Sequence, residues 1–285
     1  MEWISKSNIL IVGLGLIGGS YARALKRLGY HVSAIDKDCD SITFALDEGI
    51  IDAGFTEVSD EAVSNADAVI FGLYPGVFKD WIRDYQHLFK SGALITDVTG
   101  VKSCIVYDIQ NILRADVEFI ASHPMAGREV YGVRNSDDAI FRNANYIVTP
   151  TDKNTPEAIE WCKSLGRILG FARVSELSPE EHDDVIGFVS QLTHVIAVAL
   201  MTCNDNTNLV DYTGDSFRDL TRIARINENM WSELFLKNKD VLLKQIDVFS
   251  NELSSIRQLL SDGDKDGLCE KMKLSTKRRS YFDKK

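Results

Sequence analysis

Short apolar runs rich in β-branched residues alternate with amphipathic stretches through the first half of the chain, and the two patterns predict different elements. The runs at 8–12, 31–35, 68–73, 93–97, 119–122, 146–149 and 172–174 read as strands. Helical stretches fall between them at 18–28, 38–48, 77–89, 105–113 and 156–169. This alternation predicts a parallel sheet covered by helices. Ser178-Pro179-Glu180-Glu181 is a helix start, with an N-cap serine and a proline at the first helical position. From there the pattern is helical throughout. Between Leu242 and Leu260 the apolar positions Leu242, Ile246, Phe249, Leu253, Ile256 and Leu260 step by four, three, four, three and four. Such a stripe on a long helix needs a partner surface, which a small helical domain does not offer, so dimerisation through the C-terminal half is expected. The change of pattern near Glu176 divides the chain into an α/β domain over 1–176 and an all-α domain over 177–285, without internal repeats or low-complexity linkers.

Composition narrows the class. A chain of 285 residues is long for one core and comfortable for two domains. The formal net charge of −10 argues against a general nucleic-acid binder, whose affinity comes from neutralising phosphates. Five dispersed cysteines, odd in number and without metal-ligand spacing, suit reduced thiols in the cytoplasm and no metal site. The N-terminus lacks the basic-then-apolar order of a secretory signal. The longest apolar run, 185–201, is broken by Ser190, Gln191, Thr193 and His194 and falls short of the ~20 residues of a bilayer span, so a buried core helix is expected and no membrane partner. A basic cluster at the end (Lys271, Lys273, Lys277, Arg278, Arg279, Lys284, Lys285) reads as a solvated helix face.

The first candidate site follows the first strand. Gly13-Leu14-Gly15-Leu16-Ile17-Gly18 opens a helix directly after Ile9-Leu10-Ile11-Val12. Gly13 permits a tight turn, Gly15 lets backbone approach a pyrophosphate, and Gly18 lets helix and strand pack closely. The helix N-terminus presents unpaired N–H groups to the anion. Asp36, ending the second strand, accepts hydrogen bonds from an adenosine ribose and repels a 2′-phosphate, which favours NAD; Lys37 beside it keeps NADP as the alternative. This is the fingerprint of a Rossmann-type dinucleotide-binding domain. Leu73-Tyr74-Pro75 and Asp97-Val98-Thr99-Gly100-Val101-Lys102 follow the carboxyl ends of later strands, where open α/β sheets bind ligands. Leu73, Tyr74 and Asp97 are therefore further cofactor candidates, with Asp97 and Lys102 equally readable as ordinary loop charges.

The second candidate site is Ser122-His123-Pro124-Met125-Ala126-Gly127, which places His123 at the rim of the same crevice. A neutral imidazole accepts a hydroxyl proton near neutrality while hydride leaves the same carbon. Gln191 and His194, three apart on an apolar helix, share a face that either packs on polar backbone or lines a polar cavity. In 217–225, Asp219 and Arg222 are spaced to touch on a helix, and an arginine there can hold a carboxylate through two parallel hydrogen bonds or merely form a surface pair.

Taken together, the glycine fingerprint, Asp97–Lys102, Ser122–Gly127, Gln191-Leu192-Thr193-His194, the segment 217–224 and Met230-Trp231 occur in the order found in prephenate dehydrogenases, and the chain resembles that family over nearly its whole length. The resemblance implies an NAD-binding domain followed by a helical dimerisation domain, and oxidative decarboxylation of prephenate on the way to tyrosine. It implies that His123 is the catalytic histidine on the ring hydroxyl, Arg222 the substrate-carboxylate arginine, His194 a pocket-lining histidine and Glu129 a gating acid. Two departures touch substrate contact. Many members have Gly-Ser where this chain has Thr99-Gly100, so the serine hydroxyl comes from Thr99 or is absent; Gln191 stands where some carry a second histidine. With no regulatory domain after the helical part, feedback by tyrosine is expected at the active site. Rival readings are an arogenate dehydrogenase, a β-hydroxyacid dehydrogenase, which would rely on a lysine in the helical domain, and a non-catalytic NAD-sensing protein.

Overall fold

The computed structural model describes residues 7–283, so Lys284 and Lys285 of the basic cluster lie outside the described residues. Two compact units are present, one up to Asn238 and one from Lys239.

The first unit is built on β1 (Asn8–Val12), α1 (Leu16–Arg27), β2 (His31–Ile35), α2 (Cys39–Asp47), β3 (Ala53–Phe55), α3 (Asp60–Ser64), β4 (Ala68–Phe71), α4 (Pro75–Tyr85), β5 (Leu94–Asp97), α5 (Ser103–Ile112) and β6 (Glu118–Phe119). These strands form one parallel sheet in the order β3-β2-β1-β4-β5-β6. Strand direction of growth reverses between β1 and β4, which opens a crevice at their carboxyl ends. The continuous apolar run of β1 is explained by burial on both faces. Ile9 and Ile11 enter the layer with Tyr21, Leu25 and Trp161. Leu10 and Val12 enter the opposite layer with Phe78, Trp81 and Ile109.

The expectation of a single parallel sheet needs correction. The run at 119–122 is two strands: the chain leaves the parallel sheet after Phe119 and starts β7 (Ala121–Met125). There β7 pairs antiparallel with β8 (Asn145–Thr149), which pairs parallel with β9 (Arg173–Glu176) after α6 (Pro156–Ile168). Apolar patterning does not distinguish which sheet a strand joins. The three-residue β3 was too short to carry a pattern.

Ser178 caps α7 (Pro179–Ile186) through a reciprocal capping box with Glu181, as its sequence requires. The helix continues through a π turn, Gly187–Leu192, into α8 (Thr193–Thr202). This continuous helix was expected to be a buried core helix. Instead Val185, Phe188, Val189 and Met201 are exposed, and the helix is long and apolar enough to cross a membrane by length and composition. The few helices around it supply too little interior to cover all its faces. Next come α9 (Asp215–Thr221) and α10 (Glu228–Lys237).

The second unit is a hairpin of α11 (Lys239–Ser261) and α12 (Lys265–Arg279), clipped by a Lys271–Glu252 ion pair at 2.6 Å. Several members of the predicted stripe, Phe249, Leu253 and Leu260, are exposed on α11. Most of the basic cluster lies on α12, where Lys271 and Lys273 have acidic partners.

Candidate active site

The glycine turn behaves as its residue types require. Gly13 adopts φ +98°, and a Cβ there would fall 2.6 Å from the Gly72 carbonyl. A Cβ on Gly18 would fall 2.0 Å from the Gly13 carbonyl, so helix and turn approach only because both are glycine. At Gly15 a Cβ would meet nothing within 4 Å, which leaves an open cradle at the N-terminus of α1. No side chain caps that terminus, so the first N–H groups, of Leu16, Ile17 and Gly18, are left for an anion. Asp36 closes the cradle, accepting the Leu14 N–H at 2.6 Å and the Asp38 N–H at 2.9 Å. The residues present therefore fit a dinucleotide pyrophosphate with its ribose on Asp36. Leu73 packs beside Gly13, and Tyr74 is the N-cap residue of α4, its hydroxyl accepting from Asn227 at 3.2 Å.

Asp97 does not belong with these cofactor groups. Its side chain is fully buried and saturated. One oxygen accepts the Ser122 N–H at 3.1 Å; the other accepts the Thr99 N–H at 3.0 Å and Lys102 Nζ at 2.7 Å. Lys102, equally buried, also donates to the Ser122 carbonyl at 2.6 Å. Burial pushes its ammonium below the ordinary lysine range, with Asp97 opposing. The pair is thus neither a surface pair nor a cofactor contact. It clamps the loop after β5 to β7, the strand that carries His123.

Thr99 is spent in the same clamp, its hydroxyl lying against Asp97 and the Val101 carbonyl and accepting from Lys102 at 3.2 Å. It therefore supplies no hydroxyl to His123. The position that faces the histidine is Gly100, where a Cβ would lie 3.7 Å from His123 Nε2. Among the described residues no side-chain hydroxyl hydrogen-bonds His123.

His123 is half-buried on β7. Its Nδ1 is 2.8 Å from Nε2 of His182, whose Nδ1 is 2.8 Å from Oδ1 of Asp183. Asp183 also accepts the Lys102 and Ser103 N–H groups, each at 2.8 Å, at the start of α5. The His123 Nε2 has no hydrogen-bond partner among the described residues. Burial, and then the neighbouring His182 and Lys102, hold His123 well below the ordinary histidine range.

The face carrying Gln191 and His194 splits into two roles. Gln191 is buried, donating to the Leu234 carbonyl at 3.2 Å and accepting from Asn238 at 2.8 Å. Asn238 also donates to the Asp183 carbonyl at 3.0 Å. Gln191, expected among the catalytic residues, is thus a brace whose amide is in use. His194 donates Nδ1–H to the Ser190 carbonyl at 2.9 Å and stacks on Trp231 with ring centroids 3.6 Å apart. Burial lowers its pKa, and the charges of Glu129 and Arg222 are both felt there.

Arg222 does not pair with Asp219. Helix α9 ends at Thr221, which removes the helical spacing, and Arg222 pairs instead with Glu129 across 93 residues of chain. Helix α10 draws these groups together. Trp231 stacks on His194 and Leu234 lies beside Gly100 near His123, three residues apart on one face. Glu233 accepts the Gly76 N–H at 2.9 Å, tying the same helix to the first turn of α4. His182, Asp183, Glu233 and Asn238 were missed in the sequence. For the first two, the only available signal was a histidine next to an aspartate in the first turns of an N-capped helix.

Known proteins resemble the chain over most of its length. The family profile described as prephenate dehydrogenase, nucleotide-binding domain, matches residues 21–173, and that described as prephenate dehydrogenase, dimerization domain, matches 178–274. The chain is 33% identical to a prephenate dehydrogenase of Bacillus subtilis, over 92% of this chain and 72% of the relative. It is 31% identical to a cyclohexadienyl dehydrogenase of Zymomonas mobilis, over 95% and 94%. Its fold is similar to that of the A. aeolicus prephenate dehydrogenase solved with hydroxyphenyl propionate and NAD+, with TM-score 0.90, 33% identity, and 99% and 100% of the two chains covered.

Proposed function

The chain belongs to the prephenate dehydrogenase family, and from that membership we propose that it oxidises and decarboxylates prephenate to 4-hydroxyphenylpyruvate, with His123 as general base. It is an NAD-dependent oxidoreductase. Residues 1–176 hold the dinucleotide, and residues 177–285 complete the substrate site and the dimer. The observation that carries the reading is the unpartnered Nε2 of His123, at the open position beside Gly100 and braced behind by His182.

NAD, when bound at Gly13–Gly18 and Asp36, supplies the hydride acceptor. As the C–H bond on the hydroxyl-bearing ring carbon breaks with its electron pair, His123 Nε2 takes the hydroxyl proton and the carbonyl forms. The bond to the ring carboxylate then breaks, releasing carbon dioxide. Its electron pair completes the aromatic ring, and the oxygen regains a proton to give the phenol. Arg222 orients an anionic substrate that the net charge of −10 would otherwise repel, once it exchanges Glu129 for a substrate carboxylate. His194, held by Trp231, lines the same pocket. Formation of NADH on prephenate tests the reading, with arogenate as the parallel substrate; turnover on neither would overturn it.

Arg222→Ala is expected to raise KM for prephenate roughly 10–100-fold, from the ~1.5–3 kcal/mol of a hydrogen bond to a charged group. An unchanged KM would remove the arginine from the substrate site. Tyrosine shares the product's ring and bears a carboxylate, which supports its binding at this site. Inhibition competitive with prephenate is expected, and inhibition noncompetitive with prephenate would place tyrosine elsewhere. Covering the exposed apolar faces of α7–α8 and α11 is the role of a second copy of the chain, supported by their place in the family's dimerisation domain. The five cysteines are free, which supports a cytoplasmic home.

A further inference from the structure

The base at the centre of the site has a fixed tautomer, and the fixing runs through two residues that sequence reading passed over. An ionised carboxylate only accepts hydrogen bonds, so the His182 nitrogen facing Asp183 must carry the hydrogen. His182 is wholly buried, and burial keeps it below the ordinary histidine range although Asp183 opposes this. It is therefore neutral, with one N–H, and its Nε2 presents a lone pair to His123. That lone pair is out of reach of water and has no other donor within hydrogen-bond distance. His123 Nδ1 must then be the donor, and the one hydrogen of its neutral ring sits there. Its Nε2 is left bare on the side of Gly100.

The opposite arrangement is chemically useless. A His182 turned to donate from Nε2 would force the His123 hydrogen onto its other nitrogen, where it could no longer accept a proton from an alcohol. Asp183 prevents this because its carboxylate is itself held by two backbone donors. Its oxygens take the backbone N–H groups of Lys102 and Ser103 at the N-terminus of α5, where the helix dipole favours a carboxylate.

We propose that His182 and Asp183 are positioning residues for the reaction, locking His123 in the tautomer whose bare nitrogen faces the substrate. The inference rests on His123 being the general base. Its logic is that of an orienting carboxylate behind a catalytic imidazole, lengthened by one ring.

The test compares His182→Leu with His182→Gln in the full-length protein. Glutamine accepts from His123 through its carbonyl and donates to Asp183 through its amide, so it preserves both hydrogen bonds without a ring; leucine preserves neither. His182→Leu is expected to lower kcat on prephenate about 100-fold while KM for prephenate and NAD affinity stay unchanged. His182→Gln restores kcat to within about tenfold of the unmodified enzyme. Nitrogen NMR of histidine-labelled protein, with His123 assigned from His123→Asn, should show Nδ1 protonated and Nε2 bare in the unmodified protein and in His182→Gln, and a mixture in His182→Leu. A protonated Nε2 in the unmodified protein, an unaltered kcat in His182→Leu, or equal loss in both variants would overturn the proposal. The NMR result needs no turnover. An unmodified protein inactive on prephenate would therefore fault the assigned reaction and leave the tautomer result to be judged by itself.

Discussion

His123→Asn should bind NAD as the unmodified protein does and turn over prephenate roughly 10²–10⁴-fold more slowly, the usual contribution of a positioned general base. Asparagine keeps a donor close to the histidine Nδ1, so the contact with His182 survives and the strand need not move. What disappears is the nitrogen that takes the proton. NAD titration and initial rates of NADH formation separate the two effects. Near-normal turnover would dismiss His123 as the base. The same group predicts a pH profile. Burial, His182 and Lys102 disfavour the imidazolium, so His123 stays neutral and competent to lower pH than an ordinary histidine. Activity therefore falls as pH drops through its folded pKa, and the acid limb of kcat/KM should lie below about 6.5, the unperturbed histidine value. His123→Asn should lose that limb.

Lys102→Met is expected to be the most destabilising single change in the site, costing about 3–5 kcal/mol. The methionine fills a similar volume, so the loss is electrostatic. Asp97 keeps its two backbone donors, from Thr99 and Ser122, but has no counter-ion in a place water does not reach. At roughly 2–4 °C per kcal/mol for a chain of this general size, thermal unfolding should fall by about 10 °C. Pairing the change with Asp97→Asn removes the stranded charge and should recover part of the loss. A melting temperature within a degree or two of the unmodified protein would show that the buried pair does not hold the loop to β7.

Much of this could be read from residues one at a time. Gly13, Gly15 and Gly18 were legible as a turn because the three glycines follow one another within six positions, and they differ in what a side chain would meet: a backbone carbonyl at Gly13 and Gly18, nothing within 4 Å at Gly15. His123 was chosen because it followed a strand in the crevice-facing half of an α/β pattern. The residues behind it were not legible. His182 is 59 positions away, and no local period links it to His123. The contact of Arg222 with Glu129 was illegible for a related reason: the spacing of three to Asp219 makes a neighbour only while the helix lasts, and α9 stops one residue short. Asp97 and Thr99 lie at a ligand-facing strand end, but their side chains turn inward to Lys102.

The chain's own order of apolar and polar residues determined the helices and most strands, the cofactor turn and the stripe on the long C-terminal helix, because each depends on neighbours within a few positions. Only the folded structure decided which sheet the second half of 119–122 joined, which charges were clamps and which were free, and which nitrogen of His123 meets His182. Those outcomes depend on contacts between distant segments under burial, where a polar group must find a partner and the partner is set by three-dimensional position rather than by spacing.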